Sequence, residues 1–250
     1  MSSHYIRLPL EHAFNVRDLG GYAASSGRVT RWRTLLRADD LYELAPAEVD
    51  FLVEYGVRAV VDLRTPKEIA QRPDPFADHG DVRYHHLPVG PDELVDPSRL
   101  LQMSSPTLLQ EFYVAMLAEH GDRIAAAVNL IADAPDATLF HCSAGKDRTG
   151  LIAMLLLGVA GVRESDIVSN YAASYEHLME NPQIRAYLSQ VPAVLMESAP
   201  ATIRAAMNFI SDKYGSYADY LVASGVNRGS VERLAERMSE PAQHSIVQAR

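Results

Sequence analysis

The stretch His141-Cys-Ser-Ala-Gly-Lys-Asp-Arg148 decides the fold of this chain, because it joins an apolar strand to a long apolar helix. Residues 138–141 are predicted to form a buried strand, and residues 146–161 a helix that is apolar almost all round. A short loop between such elements points the N–H groups of residues 143–148 into one small concave space. Orphan N–H groups and the positive end of a helix dipole attract an oxyanion.

The same loop carries the only cysteine of the chain, Cys142, with Arg148 six residues later. A helix N-terminus favours the thiolate form of a cysteine, which is the nucleophilic form. Arginine has a two-pronged guanidinium that binds two oxygens of one phosphate. The spacing therefore indicates a site that binds and attacks phosphate.

Two other interpretations of the loop are weaker. A lone cysteine is more often a small core hydrophobe, but here Cys, Gly and Arg recur at the required offsets between a strand and a helix. A nucleotide-binding P-loop is excluded, because Phe140 and Asp147 stand where that motif needs Gly and Ser or Thr.

The longer run His-Cys-x-x-Gly-Lys-Asp-Arg-Thr-Gly resembles the phosphate-binding loop of bacterial protein tyrosine phosphatases. Further matching segments begin at Asn15 (Asn-Val-Arg-Asp-Leu-Gly-Gly), at Leu36 (Leu-Arg-Ala-Asp-Asp-Leu-Tyr) and at Tyr55, the last running to Glu68. The resemblance covers about the first two-thirds of the chain. It implies action on phosphotyrosine proteins and on phosphoinositides.

The loop residues receive distinct roles. Cys142 is expected to attack phosphorus in line and form a phosphocysteine that water then hydrolyses. Arg148 is expected to bind the equatorial oxygens and stabilise the transition state. His141 is a supporting residue, and the hydroxyl of Thr149 or Ser143 is expected to donate to the thiolate. The predicted phosphate-binding residues are Ser143, Ala144, Gly145, Lys146, Asp147 and Arg148.

The general acid is open between two carboxyl groups. Asp147 is implied by the resemblance, although a helix start favours its ionised form. Asp62 follows an apolar strand, and the carboxyl ends of such strands are where sites gather in α/β proteins. Asp147 is favoured, and Asp18 is expected to pair with an arginine and hold the N-terminal segment.

Lys146 bears on the substrate class. A second positive charge in the loop is unnecessary for phosphotyrosine but useful for a phosphoinositide, which carries several phosphates. The alternative is a lysine that faces solvent.

Composition limits the function classes. The chain has 250 residues, 48% of them hydrophobic, and is expected to form a single phosphatase domain over residues 1–250. A net charge of −9 argues against nucleic-acid binding and against docking to an anionic membrane. One cysteine excludes an internal disulfide and a Cys-rich zinc site. No cofactor or metal is predicted, and His85 and His86 are interpreted as strand residues.

No signal peptide is recognisable, and the apolar run over residues 151–162 is too short to span a bilayer. The protein is expected to be cytoplasmic, or secreted without a cleavable signal. The oligomeric state is not predicted.

The fold class predicted is α/β, with a central, mostly parallel sheet flanked by helices and a helical C-terminal third. A helical lid is a hypothesis for residues 164–214, and residues 240–250 are expected to form a frayed tail. A capping box at Thr65 predicts a helix start. Strands are predicted over residues 57–63, 82–89 and 138–141, and further helices over residues 46–55, 105–120, 121–133, 164–178, 182–198, 200–214, 217–224 and 229–238.

Two alternative functions remain at this point. A rhodanese-type sulfurtransferase also uses a cysteine in a cradle-like loop, but Arg148 and the residues around it favour phosphate. A non-catalytic module that binds phosphoproteins or phosphoinositides is disfavoured by the intact Cys142 and Arg148.

Overall fold

The computed structural model describes residues 6–90, 107–188 and 197–242. Its main sheet consists of strands β1 (Arg17–Asp18), β4 (Leu35–Ala38), β5 (Val57–Asp62), β6 (Arg83–His86) and β7 (Ala137–His141). The strand order is β1-β4-β7-β5-β6. Strands β4, β7, β5 and β6 run parallel, and β1 pairs antiparallel with β4 at the edge. The predicted mostly parallel sheet is confirmed, and His85 and His86 lie in β6 as predicted.

A second, three-stranded sheet joins distant parts of the chain. It contains β2 (Ala23–Ala24), β3 (Arg28–Thr30) and β8 (Ser239–Pro241). Strand β8 pairs antiparallel with β3, and the Arg28 guanidinium donates to the Ser239 carbonyl at 2.5 Å. The predicted frayed tail is therefore wrong for residues 240 and 241, and residues 243–250 of that prediction lie outside the described residues.

The described helices surround the main sheet. None of them has the length and apolar character needed to cross a bilayer. Part of the predicted helix over residues 182–198 lies outside the described residues, as does the predicted start at residue 105. The helices are α1 (Pro46–Tyr55), α2 (Pro66–Gln71), α3 (Leu108–Glu119), α4 (Gly121–Asp133), α5 (Asp147–Val159), α6 (Glu164–Leu178), α7 (Pro182–Leu188), α8 (Pro200–Tyr214), α9 (Tyr217–Ala223) and α10 (Arg228–Met238).

The sheet is buried on both faces, which explains why its central strands are apolar throughout. Neighbouring residues on a strand point to opposite faces and join different hydrophobic clusters. One cluster contains the N-terminal segment and α1, and the other contains α5 and most of the later helices. The two faces are represented by the pairs Leu36 and Leu35 in β4, Val60 and Val61 in β5, and Leu139 and Phe140 in β7.

Helix α5 is the central helix of the larger cluster. Every residue from 148 to 157 is buried, so the helix packs on all sides, as its apolar sequence predicts. Its first residue, Asp147, follows closely on the end of β7. The loop over residues 142–146 is therefore held between two buried elements.

The capping box at Thr65 is confirmed. The Glu68 N–H donates to Thr65 Oγ1 at 3.2 Å, and the Thr65 N–H donates to Glu68 Oε2 at 2.7 Å. Pro66 occupies the first turn of α2, where its missing N–H is not needed. The box fixes the Glu68 carboxylate at the start of α2.

Gly20 and Gly21 lie against the ring of Trp32. A Cβ atom at Gly20 would come within 2.6 Å of Trp32, so a larger residue would displace that ring. Asp18, just before, accepts from the backbone N–H groups of Gly20 and Arg33 and from the Tyr55 hydroxyl. It thus holds the N-terminal segment as expected, but through backbone and tyrosine donors instead of an arginine side chain.

Candidate active site

The loop over residues 142–146 lies at the carboxyl edge of the main sheet. Cys142 begins it directly after β7 and is only 1% exposed. Donor groups outside the loop make hydrogen bonds to three consecutive backbone carbonyls of the loop. The Ser143 carbonyl accepts from the backbone N–H of Asp40 at 3.0 Å, and the Ala144 carbonyl accepts from the Asn15 side-chain amide at 3.0 Å.

The third carbonyl, that of Gly145, accepts from Asn15 at 3.1 Å and from the Arg37 guanidinium at 2.5 Å. The N–H and C=O of a trans peptide point in opposite directions. The N–H groups of residues 144–146 therefore point away from these donors, toward the inner side of the loop. This is the arrangement that an oxyanion requires.

Gly145 is required by the backbone geometry of the loop. Its φ angle is +60°, a conformation that favours glycine. A Cβ atom there would also lie 2.4 Å from the Ala38 carbonyl oxygen of β4. The backbone conformation and the closeness of β4 therefore both require glycine at this position.

Arg148 is held in position by Glu68. Each terminal nitrogen of its guanidinium lies 2.7 Å from a different Glu68 oxygen, and the Ser143 hydroxyl donates to Glu68 as well. Burial opposes the charged carboxylate, but the Arg148 guanidinium and the Ser143 hydroxyl lower the pKa of Glu68 to about 2. Glu68 is recognisable in the sequence only as part of a capping box, so its link to Arg148 was missed.

Asp147 lies beside the loop with its side chain 29% exposed. Its Oδ1 accepts from the Tyr113 hydroxyl at 2.7 Å and lies 3.3 Å from the Lys146 ammonium. The hydroxyls of Tyr113 and Tyr171 are 2.9 Å apart. No sequence motif marks these two tyrosines.

Asp62 ends β5 at the carboxyl edge, as predicted, but it is fully buried. Its carboxylate accepts from the Arg64 guanidinium at 2.6 Å and from the Tyr84 hydroxyl at 2.8 Å. Burial opposes ionisation, yet His141 and Arg64 hold the pKa of Asp62 below its usual range. The group is a carboxylate inside an ion network.

His141 belongs to the same network. Its Nε2 lies 3.1 Å from Asp74 Oδ2 and 3.6 Å from Asp62 Oδ2, and its Nδ1 lies 3.3 Å from the Cys142 carbonyl oxygen. Burial disfavours the charged imidazole, but the Asp62 and Asp74 carboxylates outweigh it and raise the pKa of His141 to about 9. The sequence suggested a supporting histidine without these partners.

Asp62, Asp74 and His141 also lie close enough together to be tested as metal ligands. The Arg64 guanidinium already lies 2.6 Å from Asp62 Oδ2 and 3.7 Å from Asp74 Oδ2, so a cation of the protein already faces both carboxylates. This donor set is a balanced ion cluster and does not suit a metal ion.

Lys146 does not face solvent. It is 1% exposed, and its ammonium lies 3.3 Å from Asp147 Oδ1 and 3.2 Å from the Glu197 carbonyl oxygen. The alternative of a solvent-facing lysine is therefore wrong. Its charge lies at the start of α5, next to the loop.

Of the two hydroxyls predicted to serve the thiolate, only one is unengaged within the described residues. The Ser143 hydroxyl donates to Glu68. Thr149 Oγ1 is buried and has no hydrogen-bond partner in the described parts of the chain.

A cavity of about 600 Å³ opens beside the loop. It lies between the loop, the segment after β4, the end of α2 and helix α7. Carboxylates are prominent in its wall. The lining residues are His12, Asp39, Asp40, Tyr42, Glu43, Glu68, Gln71, Arg72, Ser143, Ala144, Asn181, Gln183 and Ile184.

The lid hypothesis is narrowed by the packing of the C-terminal helices. Tyr171 of α6 and Ile203 of α8 are core residues, so these helices belong to the body of the protein. What remains of the hypothesis concerns residues 179–199, of which 189–196 lie outside the described residues. A lid there stays a prediction.

The chain is similar in sequence to known tyrosine phosphatases. The chain is 33% identical over 218 residues to a tyrosine-protein phosphatase of Nostoc commune, covering 82% of this chain and 74% of that protein. It is 26% identical over 272 residues to the triple specificity protein phosphatase PtpB of Mycobacterium tuberculosis, covering 90% and 96%. The P. aeruginosa TpbA structure is 19% identical with a TM-score of 0.32, covering 74% of this chain and 96% of that one. The family model "Tyrosine phosphatase family" matches residues 8–240, and the chain belongs to that family.

Proposed function

We propose that this protein hydrolyses phosphotyrosine through a phosphocysteine at Cys142. The observation that supports the proposal most is the set of hydrogen bonds that hold the carbonyls of residues 143–145 outward. The N–H groups that follow these carbonyls are thereby left to bind phosphate oxygens. Membership of the tyrosine phosphatase family supports the same reaction.

The reaction proceeds in two displacements. The Cys142 thiolate attacks phosphorus, the bond from phosphorus to the tyrosine oxygen breaks, and that oxygen takes a proton from the general acid. Water then attacks the phosphocysteine and gives a proton to the same residue, now a base, and the thiolate leaves. Arg148 and the loop N–H groups stabilise the negative charge on the equatorial oxygens in both steps.

We assign the general acid to Asp147 in preference to Asp62. Asp147 is partly exposed beside the loop, where a leaving group can reach it. Asp62 is fully buried and makes hydrogen bonds with Arg64 and Tyr84, and its lowered pKa makes it a poor proton donor. Its role in this proposal is to hold His141 and the end of β5.

Thr149 is the preferred hydroxyl donor to the thiolate. The Ser143 hydroxyl is engaged with Glu68, whereas Thr149 Oγ1 is buried without a partner in the described residues. A buried hydroxyl without a partner is unfavourable, so a nearby sulfur anion would satisfy it.

For the substrate class, we favour phosphotyrosine over phosphoinositides. Lys146, the cation that suggested a second phosphate, lies against Asp147 and the Glu197 carbonyl. The cavity beside the loop is lined by Asp39, Asp40 and Glu43. Carboxylates in that wall disfavour a headgroup with several phosphates. Because the M. tuberculosis relative is named a triple specificity phosphatase, the substrate panel described below also includes other phosphate esters.

The nucleophile is tested with Cys142→Ser. We expect turnover of a phosphotyrosine peptide to fall by roughly 10⁴-fold or more, because the hydroxyl is a far weaker nucleophile, while peptide binding persists. Ser169→Ala, an exposed hydroxyl on α6, is the control and keeps full activity. Vanadate is expected to inhibit the wild type, and EDTA is expected to leave its activity unchanged. Thiosulfate sulfurtransferase activity without phosphatase activity would favour the rhodanese alternative instead.

The general acid is tested with leaving groups of different basicity. Asp147→Asn is expected to lower kcat/KM, which reports formation of the phosphocysteine, by about 10²-fold or more on phenyl phosphate, and much less on p-nitrophenyl phosphate, whose leaving group needs no proton. Asp122→Asn, which removes an acid from the first turn of α4, is the matched control. If Asp62→Asn shows a stronger dependence on the leaving group than Asp147→Asn, the general acid is Asp62.

The substrate class is tested with a panel of phosphotyrosine and phosphoserine peptides and soluble phosphoinositide headgroups. We expect the phosphotyrosine peptides to have the highest kcat/KM. Lys146→Met is expected to change all ratios in the panel little. A selective loss of headgroup hydrolysis in that variant would give Lys146 the phosphoinositide role.

A further inference from the structure

Beneath the loop lies an arginine that the reaction described above does not use. Arg37 is in β4, is fully buried, and pairs in register with Phe140 of β7. Its guanidinium donates to the Gly145 carbonyl at 2.5 Å, to Asn170 Oδ1 at 2.6 Å and to Ser174 Oγ at 3.5 Å. All three acceptors are neutral.

No carboxylate in the described residues pairs with Arg37. A buried guanidinium without a counter-charge is unfavourable, and proteins normally pair such a group or lose the charge. Burial lowers the pKa of Arg37 to about 10, so the group remains charged at neutral pH. The groups that can carry a negative charge near it are Cys142 at the end of β7, Tyr22 near the N-terminus, Tyr113 of α3 and Tyr171 of α6. Two basic groups also face it: Arg17 of β1, which pairs in register with Arg37 and donates to Ser174 Oγ as well, and His177 of α6.

Cys142 is the group that can supply the missing charge. Among the four groups that can carry a negative charge, it opposes the shift of the Arg37 pKa most strongly. The hydroxyls of Tyr113 and Tyr171 are neutral, because burial raises their pKa values above the usual range. A thiolate at Cys142, or a phosphate in the loop, can therefore balance this cation.

We infer that Arg37 is a positioning residue that stabilises the thiolate of Cys142 from beneath the loop. It acts by charge and by holding the Gly145 carbonyl outward. The inference rests on the proposed function, because it assigns the thiolate a catalytic use. The charge effect itself can be measured without turnover.

The most informative variant is Asn170→Asp, since it leaves Arg37 in place. The new carboxylate accepts from Arg37 where the amide oxygen now does. Asn170 Nδ2 now donates to the Tyr22 hydroxyl at 2.8 Å, and in the variant that hydroxyl can donate to the carboxylate instead. The buried guanidinium gains a counter-charge, so the fold is expected to persist while the field at Cys142 weakens.

The readout is the pH dependence of Cys142 alkylation by iodoacetamide, which reacts with the thiolate of the single cysteine. We expect the midpoint of Asn170→Asp to lie about one unit above that of the wild type. At a pH well below both midpoints, that shift corresponds to about tenfold slower alkylation. Ser169→Asp, which places the same charge on the exposed side of α6, is expected to leave the midpoint unchanged.

Arg37→Met and Arg37→Lys complete the test. Met removes the charge and is expected to raise the midpoint at least as much as Asn170→Asp, whereas Lys retains the charge and much of the effect. If Arg37→Met fails to fold, Asn170→Asp decides alone. An unchanged midpoint in folded Asn170→Asp would overturn the inference. A shifted midpoint in a protein that hydrolyses no phosphotyrosine would instead refute the proposed function alone.

Discussion

The two sides of the phosphate-binding loop balance buried charge in different ways. On one side, buried carboxylates face cations: Asp62 and Asp74 face Arg64 and His141. On the other side, the buried Arg37 guanidinium faces a carbonyl, an amide and a hydroxyl. We call the first group of four residues the ion cluster and the second the neutral pocket around Arg37.

The difference separates charges that stabilise the fold from a charge that acts on the loop. In the ion cluster the carboxylates and the cations face each other at short range. In the neutral pocket no carboxylate of the described residues pairs with the guanidinium, and in a poorly solvated interior such a charge acts over several ångströms. The first arrangement holds β5, β7 and α2 together, and the second favours an anion in the loop.

Removing the central cation of the ion cluster is expected to have the largest effect on stability. Arg64→Met leaves Asp62 and Asp74 buried without their guanidinium and should lower the free energy of unfolding by about 3–5 kcal/mol. Chemical denaturation measures the loss. The control is Arg72→Met, a half-exposed arginine 3.7 Å from Asp40, which should change stability by less than about 1 kcal/mol. Equal losses of stability in the two variants would mean that the ion cluster stabilises the fold no more than a half-exposed ion pair does.

Glu68→Gln tests whether Arg148 needs its carboxylate partner in order to bind phosphate in the loop. The change removes the charged partner of Arg148, and losing such charge-assisted hydrogen bonds is worth about 1.5–3 kcal/mol. We expect kcat/KM for a phosphotyrosine peptide to fall by roughly 10- to 100-fold. Glu54→Gln, an exposed glutamate of α1, is the control. An unchanged kcat/KM would show that Arg148 needs no partner.

The pH dependence of stability reports on His141. Its folded pKa of about 9 lies above its usual value, so the protonated form stabilises the fold fully below about pH 6.5. That contribution, about 1–3 kcal/mol, is lost as the pH rises through about 9. Asp74→Asn should flatten this slope in denaturation curves measured between pH 6.5 and 9.5. An equal slope in the variant and the wild type would contradict the assignment.

Tyr113→Phe is expected to have the smallest effect and to act on the other side of the loop. It removes the hydroxyl that donates to Asp147, a hydrogen bond worth about 1 kcal/mol. If Asp147 is the general acid, losing the donor that orients its carboxylate should lower kcat/KM for phenyl phosphate by up to about fivefold. The value for p-nitrophenyl phosphate, whose leaving group needs no proton, should change less. Equal changes for the two substrates would separate Asp147 from the acid role.

The sequence predicted the fold well where local patterns act alone. Apolar runs identified β5 and β7, and helix α4 begins and ends where its pattern indicates. The strand at residues 239–241 was missed, because its pairing with β3 is a contact between segments some two hundred residues apart. No local pattern in a three-residue strand reveals such a partner.

The site was predictable only where its residues lie in one loop. Cys142 and Arg148 follow from a spacing within that loop. Glu68, Arg37 and Tyr113 reach the loop from α2, β4 and α3, and their roles depend on packing that brings separate elements together. The charge state of His141 likewise depends on Asp74, which no spacing in the sequence connects with it.

The ring of Trp32 against Gly20 and Gly21 has a practical consequence. The chain has one tryptophan and one cysteine, so its fluorescence and its thiol chemistry each report on a single place. Emission follows the assembly of the N-terminal edge, and thiol labelling follows the accessibility of the loop. Refolding can thus be observed at two named points without substituting any residue, which reveals whether the sheet edge forms before the nucleophile is enclosed.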